Sequence, residues 1–200
     1  MKLICIGDSL TYGYGISRRE TWIALTAART GMEIGNAGIC GDTTGGMLAR
    51  FRSDVMEKRP KAVFMMGGAN DMITGCPSFV PQSNLMSMAH QALSAGIFAM
   101  IGIPLPYWKE GIREDWAAFA SGNLREEEAD AYRAWLLRFG ETFGIPVVDF
   151  WTPFSELTRR GEAQDYYLDG LHPTREGHAL MAQTMCEALT RTGLWHPSRI

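Results

Sequence analysis

Short apolar runs alternate with helical patterns along this 200-residue chain. An apolar run bounded by turn residues is typical of a strand that is buried on both faces. The segments between the runs repeat apolar residues at three- and four-residue spacing, as helices with one buried side do. This alternation predicts an α/β fold, a doubly wound parallel sheet with helices on both faces. The predicted strands are residues 2–6, 32–37, 62–66, 97–103 and 147–150.

Helices are predicted over residues 20–30, 81–95, 124–143 and 174–191, with a further helix before Pro60 and a short one near 153–159. Helical spacing places Leu93 and Phe143 on the inner faces of their helices. Residues 105–122 form a long connection, and long ordered loops are often functional. Because no linker, repeat or low-complexity segment divides the chain, we expect one domain over residues 1–200.

The charge balance argues against nucleic-acid and membrane partners. The formal net charge is -3, and the chain has no long basic run that would bind nucleic acid or an anionic membrane surface. No apolar stretch approaches the length of a membrane span, and the first apolar run is too short for the core of a signal peptide. We therefore expect a cytoplasmic protein whose partner is a small molecule. The sequence does not indicate an oligomeric state.

No pattern for a metal or a cofactor is found. The cysteines are scattered and form no C-x-x-C pair, so we expect reduced thiols and no zinc site, with Cys40 serving in packing. The chain contains no G-x-x-x-x-G-K-[ST] motif. Its Gly13-Tyr14-Gly15 segment lacks a third glycine, since position 18 is Arg18. A nucleotide- or flavin-binding module is therefore a less favoured alternative on this fold.

Polar residues follow the predicted strands, at the sheet edge where such folds bind ligands. Ser9, in the turn after the first strand, is either a nucleophile or an ordinary turn residue. Asn70, after the third strand, can donate its amide N–H to a developing oxyanion or cap a helix. Gly41 allows a backbone N–H to approach a ligand, or simply makes a turn. Asp8 and Asp71 are expected to fasten turn backbones.

His172 is the histidine that has a carboxylate, Asp169, three residues before it. At that spacing the carboxylate can accept the imidazole Nδ1–H, which leaves Nε2 free to take a proton from Ser9. The alternative is a surface turn in which Asp169 acts as a cap. These two interpretations are about equally supported by the turn alone.

Four sequence blocks together resemble the GDSL or SGNH hydrolase family. They are GDSLTYG at residues 7–13, NAGICGDTT at 36–44, GAND at 68–71 and DGLHP at 169–173. The resemblance implies a three-layer α/β/α sandwich with a flavodoxin-like strand order 2-1-3-4-5. It also implies that Ser9 is the nucleophile, His172 the base and Asp169 its orienting acid. The implied oxyanion hole consists of the backbone N–H groups of Ser9 and Gly41 and the side chain of Asn70.

The resemblance implies a serine esterase or acylhydrolase that needs no cofactor and hydrolyses esters of small or medium acyl or aryl groups. An O-deacetylase of a sugar or small metabolite would use the same residues and is the main alternative. An inactive carrier on this fold is disfavoured because every chemical position is intact. Position 11 is Thr11, so the G-x-S-x-G elbow of α/β-hydrolases is absent. Aromatic residues are frequent in the loops at the predicted site edge, where they either line an apolar pocket or cover the edges of helices: Tyr12, Tyr14, Tyr107, Trp108, Trp116, Tyr166 and Tyr167.

Overall fold

The computed structural model describes residues 2–197; Met1 and residues 198–200 of the expected domain lie outside the described residues. Over residues 2–197 the strands form one parallel five-stranded sheet in the order β2-β1-β3-β4-β5, which confirms the predicted fold. The strands are β1 (Lys2–Gly7), β2 (Glu33–Gly38), β3 (Ala62–Met66), β4 (Phe98–Ile103) and β5 (Val147–Asp149).

The helices connect the strands and cover both faces of the sheet. They are α1 (Ser9–Tyr12), α2 (Trp22–Thr30), α3 (Thr44–Asp54), α4 (Ala69–Ile73), α5 (Phe79–Ser94), α6 (Glu114–Ala120), α7 (Glu126–Phe143), α8 (Trp151–Arg160) and α9 (Arg175–Arg191). Within residues 2–197, no helix combines the length and the apolar character that crossing a bilayer requires.

Each face of the sheet carries its own hydrophobic core, because successive side chains of a strand point to opposite faces. Leu3 and Cys5 of β1 pack on the side of α2 and α9, in a core centred on Trp22. Ile4 and Ile6 pack on the other side, against α3, α5 and α7. The central strand β3 is buried along its whole length. Two cores around one sheet make the three-layer sandwich.

The ring of Trp22 connects this core to the serine turn. Its indole N–H donates to the carbonyl oxygen of Leu10 at 2.9 Å, inside α1. The ring also contacts Phe64 and Phe150, with centroids 5.5 and 5.6 Å away. The short helix that contains Ser9 is therefore held directly by buried aromatic packing.

Two predictions of inward-facing residues are wrong. Leu93 is 42% exposed and Phe143 is 47% exposed. Both residues lie in the last turn of their helix, where the side chain is only partly covered. Phe143 packs at the edge of the core, against the rings of Phe139 and His90, with centroids 4.9 and 5.0 Å away.

Candidate active site

The turn after β1 presents Ser9 at the start of a helix. Asp8 is the N-cap of α1 and accepts the Leu10 N–H at 2.9 Å, so this turn is a helix cap and also exposes a serine. The turn requires Gly7, since a Cβ atom there would lie 2.2 Å from Thr11 Oγ1 and 2.5 Å from the Met66 carbonyl oxygen. Ser9 is largely buried, and its hydroxyl faces His172.

Ser9, His172 and Asp169 form a chain of hydrogen bonds. The Ser9 Oγ lies 2.9 Å from His172 Nε2, and His172 Nδ1 lies 2.9 Å from Asp169 Oδ2. The backbone N–H groups of His172 and Leu171 also donate to Asp169 Oδ1, at 2.9 and 3.1 Å. The structure thus brings together the three residues that the sequence placed in two distant turns.

Asp169 is held as a carboxylate. Burial by itself would raise its pKa, but the hydrogen bonds from the His172 side chain and backbone hold the pKa of Asp169 well below its ordinary value. An ionised carboxylate can only accept, so His172 Nδ1 must carry a proton. In the neutral imidazole Nε2 is then unprotonated and accepts the Ser9 hydroxyl proton.

The turns after β2 and β3 meet beside Ser9. Asn70, in α4, donates its side-chain N–H to the carbonyl oxygen of Asp42 at 2.8 Å. This bond links α4 to the loop that contains Gly41, whose φ of 77° favours glycine. Among residues 2–197, no acceptor is found for the backbone N–H of Ser9 or of Gly41. Asn70 and Ser9 line the same cavity, whereas Gly41 lies outside the lining residues that the structure describes.

Asp71 fastens these turns to each other, as the sequence predicted. Its two carboxylate oxygens accept the backbone N–H and the hydroxyl of Thr44, at 2.9 and 2.7 Å. Asp71 is buried, and Thr44 is the first residue of α3. The loop after β2 is therefore fixed to the loop after β3.

Arg50 of α3 is a further fastening residue, which the sequence reasoning missed. Its guanidinium donates to the carbonyl oxygens of Gly7 and Ala37, at 3.0 and 2.8 Å. The same group donates to Asp42 Oδ2 at 2.8 Å. Arg50 thus joins the ends of β1 and β2 to the loop that contains Gly41. A helical arginine gives no local signal of such contacts.

Asp8 differs from the other buried acids of the site. Its Oδ2 atom is buried and has no hydrogen-bond partner among the residues described. Burial raises the pKa of Asp8 to about 6, although the Leu10 N–H and nearby His172 act in the opposite direction. A carboxylate in this position is poorly compensated.

A mainly apolar cavity extends from Ser9 across the ends of β3 and β4. Its volume is about 70 Å³. Its apolar and aromatic wall includes Met72, Ile73, Ile103, Leu105, Tyr107, Trp116, Leu124, Ala129 and Trp151. An apolar cavity that begins at a serine hydroxyl suits the acyl chain of an ester.

The aromatic residues expected at the pocket have different roles. Tyr107 and Trp116 line the cavity. Tyr14 packs on His172, with ring centroids 4.4 Å apart. Tyr167 belongs instead to the hydrophobic core. The expectation that Cys40 serves in packing is wrong, because Cys40 is exposed in the loop after β2.

Comparison with known proteins gives a consistent result. The GDSL-like Lipase/Acylhydrolase family matches residues 5–180. Esterase TesA of Pseudomonas aeruginosa is 36% identical over 110 residues. The match covers 52% of this chain and 55% of that esterase, so it spans about half the length of that relative. Thioesterase 1/protease 1/lysophospholipase L1 of Escherichia coli K12 is 25% identical over 190 residues, 94% of this chain and 82% of that protein. The solved structure of a putative lipolytic protein of the G-D-S-L family from Desulfitobacterium hafniense has a TM-score of 0.74 and 27% identity, covering 94% of this chain and 99% of that one.

Proposed function

Since the chain belongs to the GDSL-like lipase/acylhydrolase family, we propose that it is a serine esterase that hydrolyses carboxylic esters of small or medium acyl or aryl groups through an acyl-enzyme on Ser9. The observation that carries this proposal is the hydrogen-bonded chain from Ser9 through His172 to Asp169 at the mouth of an apolar cavity. A serine becomes a nucleophile when a positioned base removes its proton.

In the proposed acylation step, His172 Nε2 takes the Ser9 proton as Ser9 Oγ attacks the ester carbonyl. Asp169 holds the Nδ1–H and stabilises the imidazolium that forms. His172 then gives the proton to the departing alcohol. Water enters by the same route and releases the acid, with His172 again acting first as base and then as acid.

The proposed oxyanion donors are the Ser9 and Gly41 backbone N–H groups and the Asn70 side chain. Donors held in place before the reaction stabilise the charge that develops on the carbonyl oxygen. Asn70 uses one amide hydrogen to bind the Asp42 carbonyl, which fixes its orientation and leaves the second hydrogen for the substrate. Asp71 and Arg50 hold the loops that carry these groups.

The size of the cavity favours short chains. Its volume of about 70 Å³ is small beside the roughly 300–1,000 Å³ of pockets that hold drug-sized ligands. Butyrate and hexanoate esters fit this space better than long-chain esters. An O-deacetylase, the alternative on the same residues, would use only the part of the cavity next to Ser9. Because the cavity continues to Trp151, it supports acyl groups longer than acetyl, and so the esterase rather than the deacetylase.

The test is the hydrolysis of p-nitrophenyl acetate, butyrate, hexanoate and decanoate by the wild type and by Ser9→Ala. We expect kcat/KM to peak at butyrate or hexanoate and Ser9→Ala to lose activity while remaining folded. Ser94→Ala, the same change at an exposed position at the end of α5, is the matched control. Activity retained by Ser9→Ala would refute the mechanism, and activity confined to acetate would favour the deacetylase.

A further inference from the structure

We infer that Trp116 is a positioning residue for this reaction, acting on Asp169 through its indole N–H. Its Nε1 donates to Asp169 Oδ2 at 2.9 Å, and its ring forms part of the cavity wall. The inference rests on the proposed esterase function, because it concerns how the base of that reaction is held.

Trp116 completes the set of donors that fixes the Asp169 carboxylate. The backbone of residues 171 and 172 holds Oδ1, whereas Oδ2 receives His172 Nδ1 and the indole of Trp116. With both oxygens held, the carboxylate cannot rotate without losing a hydrogen bond. The direction in which it receives His172 is therefore set in part by Trp116.

The segment that carries Trp116 is attached to the histidine turn by its backbone. In this 105–122 segment, the N–H groups of Trp108 and Arg113 donate to the carbonyl oxygens of Gly170 and Asp169, at 2.8 and 3.2 Å. Gly170 has a φ of 80°, and a Cβ atom there would lie 2.5 Å from the backbone nitrogen of Ile112. The two segments therefore meet at backbone distance, which brings the indole to Asp169.

Arg113 is a weaker candidate for the same role. Its guanidinium lies 3.8 Å from Asp169 Oδ2, but the side chain is 49% exposed and its hydrogen bonds go to Asp115. An exposed ion pair at that distance fixes orientation poorly. The indole of Trp116, which lies at hydrogen-bond distance from a nearly inaccessible carboxylate, is the group that can hold it.

This arrangement connects the cavity with the catalytic base. The Trp116 ring centroid is 5.7 Å from that of His172 and borders the space in which the acyl chain is proposed to bind. The ring of Trp116 therefore borders the proposed acyl site, while its indole N–H holds the carboxylate that receives His172.

The direct test compares Trp116→Phe with the wild type on p-nitrophenyl butyrate. Phenylalanine keeps an aromatic wall but has no N–H, so we expect kcat to fall about tenfold or more, as when a hydrogen bond to a charged group is lost. KM should stay within about twofold, because the cavity remains lined. Trp108→Phe is the matched control: the same change in the same segment, at a ring that packs on Tyr167. Its kcat should stay within about twofold.

Three kinetic results would overturn the inference. They are an unchanged kcat in Trp116→Phe, a raised KM with unchanged kcat, and an equal loss of kcat in Trp108→Phe. The wild type and Ser9→Ala are assayed beside these variants. A wild type without esterase activity refutes the proposed function and this inference together, whereas an active wild type with an unaffected Trp116→Phe refutes the inference alone.

A second measurement does not depend on the folding of the Trp116 variant. In nitrogen-15 spectra, indole N–H resonances of the tryptophans are compared between the wild type and Asp169→Asn. Because Trp116 donates to the altered group, we expect one indole resonance to shift strongly while the others stay in place. If no indole resonance moves, Trp116 does not donate to Asp169 in solution, and the inference fails.

Discussion

Replacing Asp8 with asparagine should stabilise the protein at neutral pH, although the residue adjoins the proposed nucleophile. The carboxylate is buried, and Oδ2 has no hydrogen-bond partner within residues 2–197. In Asp8→Asn the remaining oxygen still accepts the Leu10 N–H that caps α1. The variant therefore keeps the cap and removes a poorly compensated charge.

The size and sign of the effect follow from the pKa of Asp8. Folding raises this pKa from 3.8 to about 6, so the folded state binds the proton more tightly than the unfolded state. The proton on Asp8 therefore favours the folded state, and the wild type loses this stabilisation as the pH rises from about 4 to about 6. A shift of about two pKa units corresponds to about 3 kcal/mol. Above pH 6 the wild type should be destabilised by up to that amount relative to Asp8→Asn.

The assay is urea unfolding, followed by tryptophan fluorescence, of both proteins between pH 4 and pH 7.5. The hydrogen bonds of the new amide do not change with pH and add only a constant offset, so the diagnostic quantity is the change with pH. The free-energy difference between Asp8→Asn and the wild type should grow by about 2 kcal/mol over this range, because the unfolded Asp8 is already partly ionised at pH 4. A difference that stays constant, or that shrinks as the pH rises, would refute the reasoning.

Asp71→Asn is the matched control for this experiment. Asp71 is also buried, but both of its oxygens accept hydrogen bonds from Thr44. An amide at that position turns an N–H group towards a donor, so we expect a loss of about 2 kcal/mol. A free energy of unfolding that rises in Asp8→Asn and falls in Asp71→Asn at neutral pH would show what decides the change in stability. It would be the number of hydrogen-bond donors to the carboxylate, rather than its burial alone.

Two other substitutions test the proposed oxyanion hole. Asn70→Ala should lower kcat on p-nitrophenyl butyrate about 10²–10³-fold with little change in KM, because the amide acts on the developing charge; an unchanged kcat in steady-state assays would exclude Asn70 from this role. Arg50→Met should lower the free energy of unfolding in urea by about 3 kcal/mol, since it leaves the partly buried Asp42 carboxylate without its guanidinium. It should also lower kcat, because the ends of β1 and β2 are no longer tied to the loop of Gly41; a stability loss with full kcat would leave Arg50 without a positioning role.

The strands could be predicted from the sequence to within one or two residues. A central parallel strand is buried on both faces, so it appears as a continuous apolar run, as residues 62–66 do. Helix ends were also marked locally: Gly31 and Gly144 are the left-handed caps at which α2 and α7 end. The helix α6 within residues 105–122 was missed, because it shows no apolar stripe that faces a core: Phe119 is exposed, and Trp116 bonds to Asp169.

The chemical residues of the candidate site could be found from the sequence because they lie in short blocks, three after strands and one in the turn before α9. Of the residues that hold them, Asp71 was predicted, but Arg50 and Trp116 were not. Arg50 acts through carbonyl oxygens of other elements, and Trp116 through a carboxylate in another turn. Such contacts depend on tertiary distance and leave no periodic or local pattern. They become visible only when the loops are placed in space.

The hydrogen bonds of the two buried carboxylates support Asp169 rather than Asp8 as the proposed orienting acid of His172. Asp8 is adjacent to Ser9 in the chain, and Asp169 is far from it. Asp169 receives hydrogen bonds from His172, Leu171 and Trp116, and its pKa lies well below the ordinary value. Asp8 receives a hydrogen bond from the backbone N–H of Leu10, and its pKa is raised to about 6. A group that must stay ionised to stabilise an imidazolium needs many donors, which Asp169 has and Asp8 lacks. This assignment follows from hydrogen-bond supply and does not depend on any family resemblance.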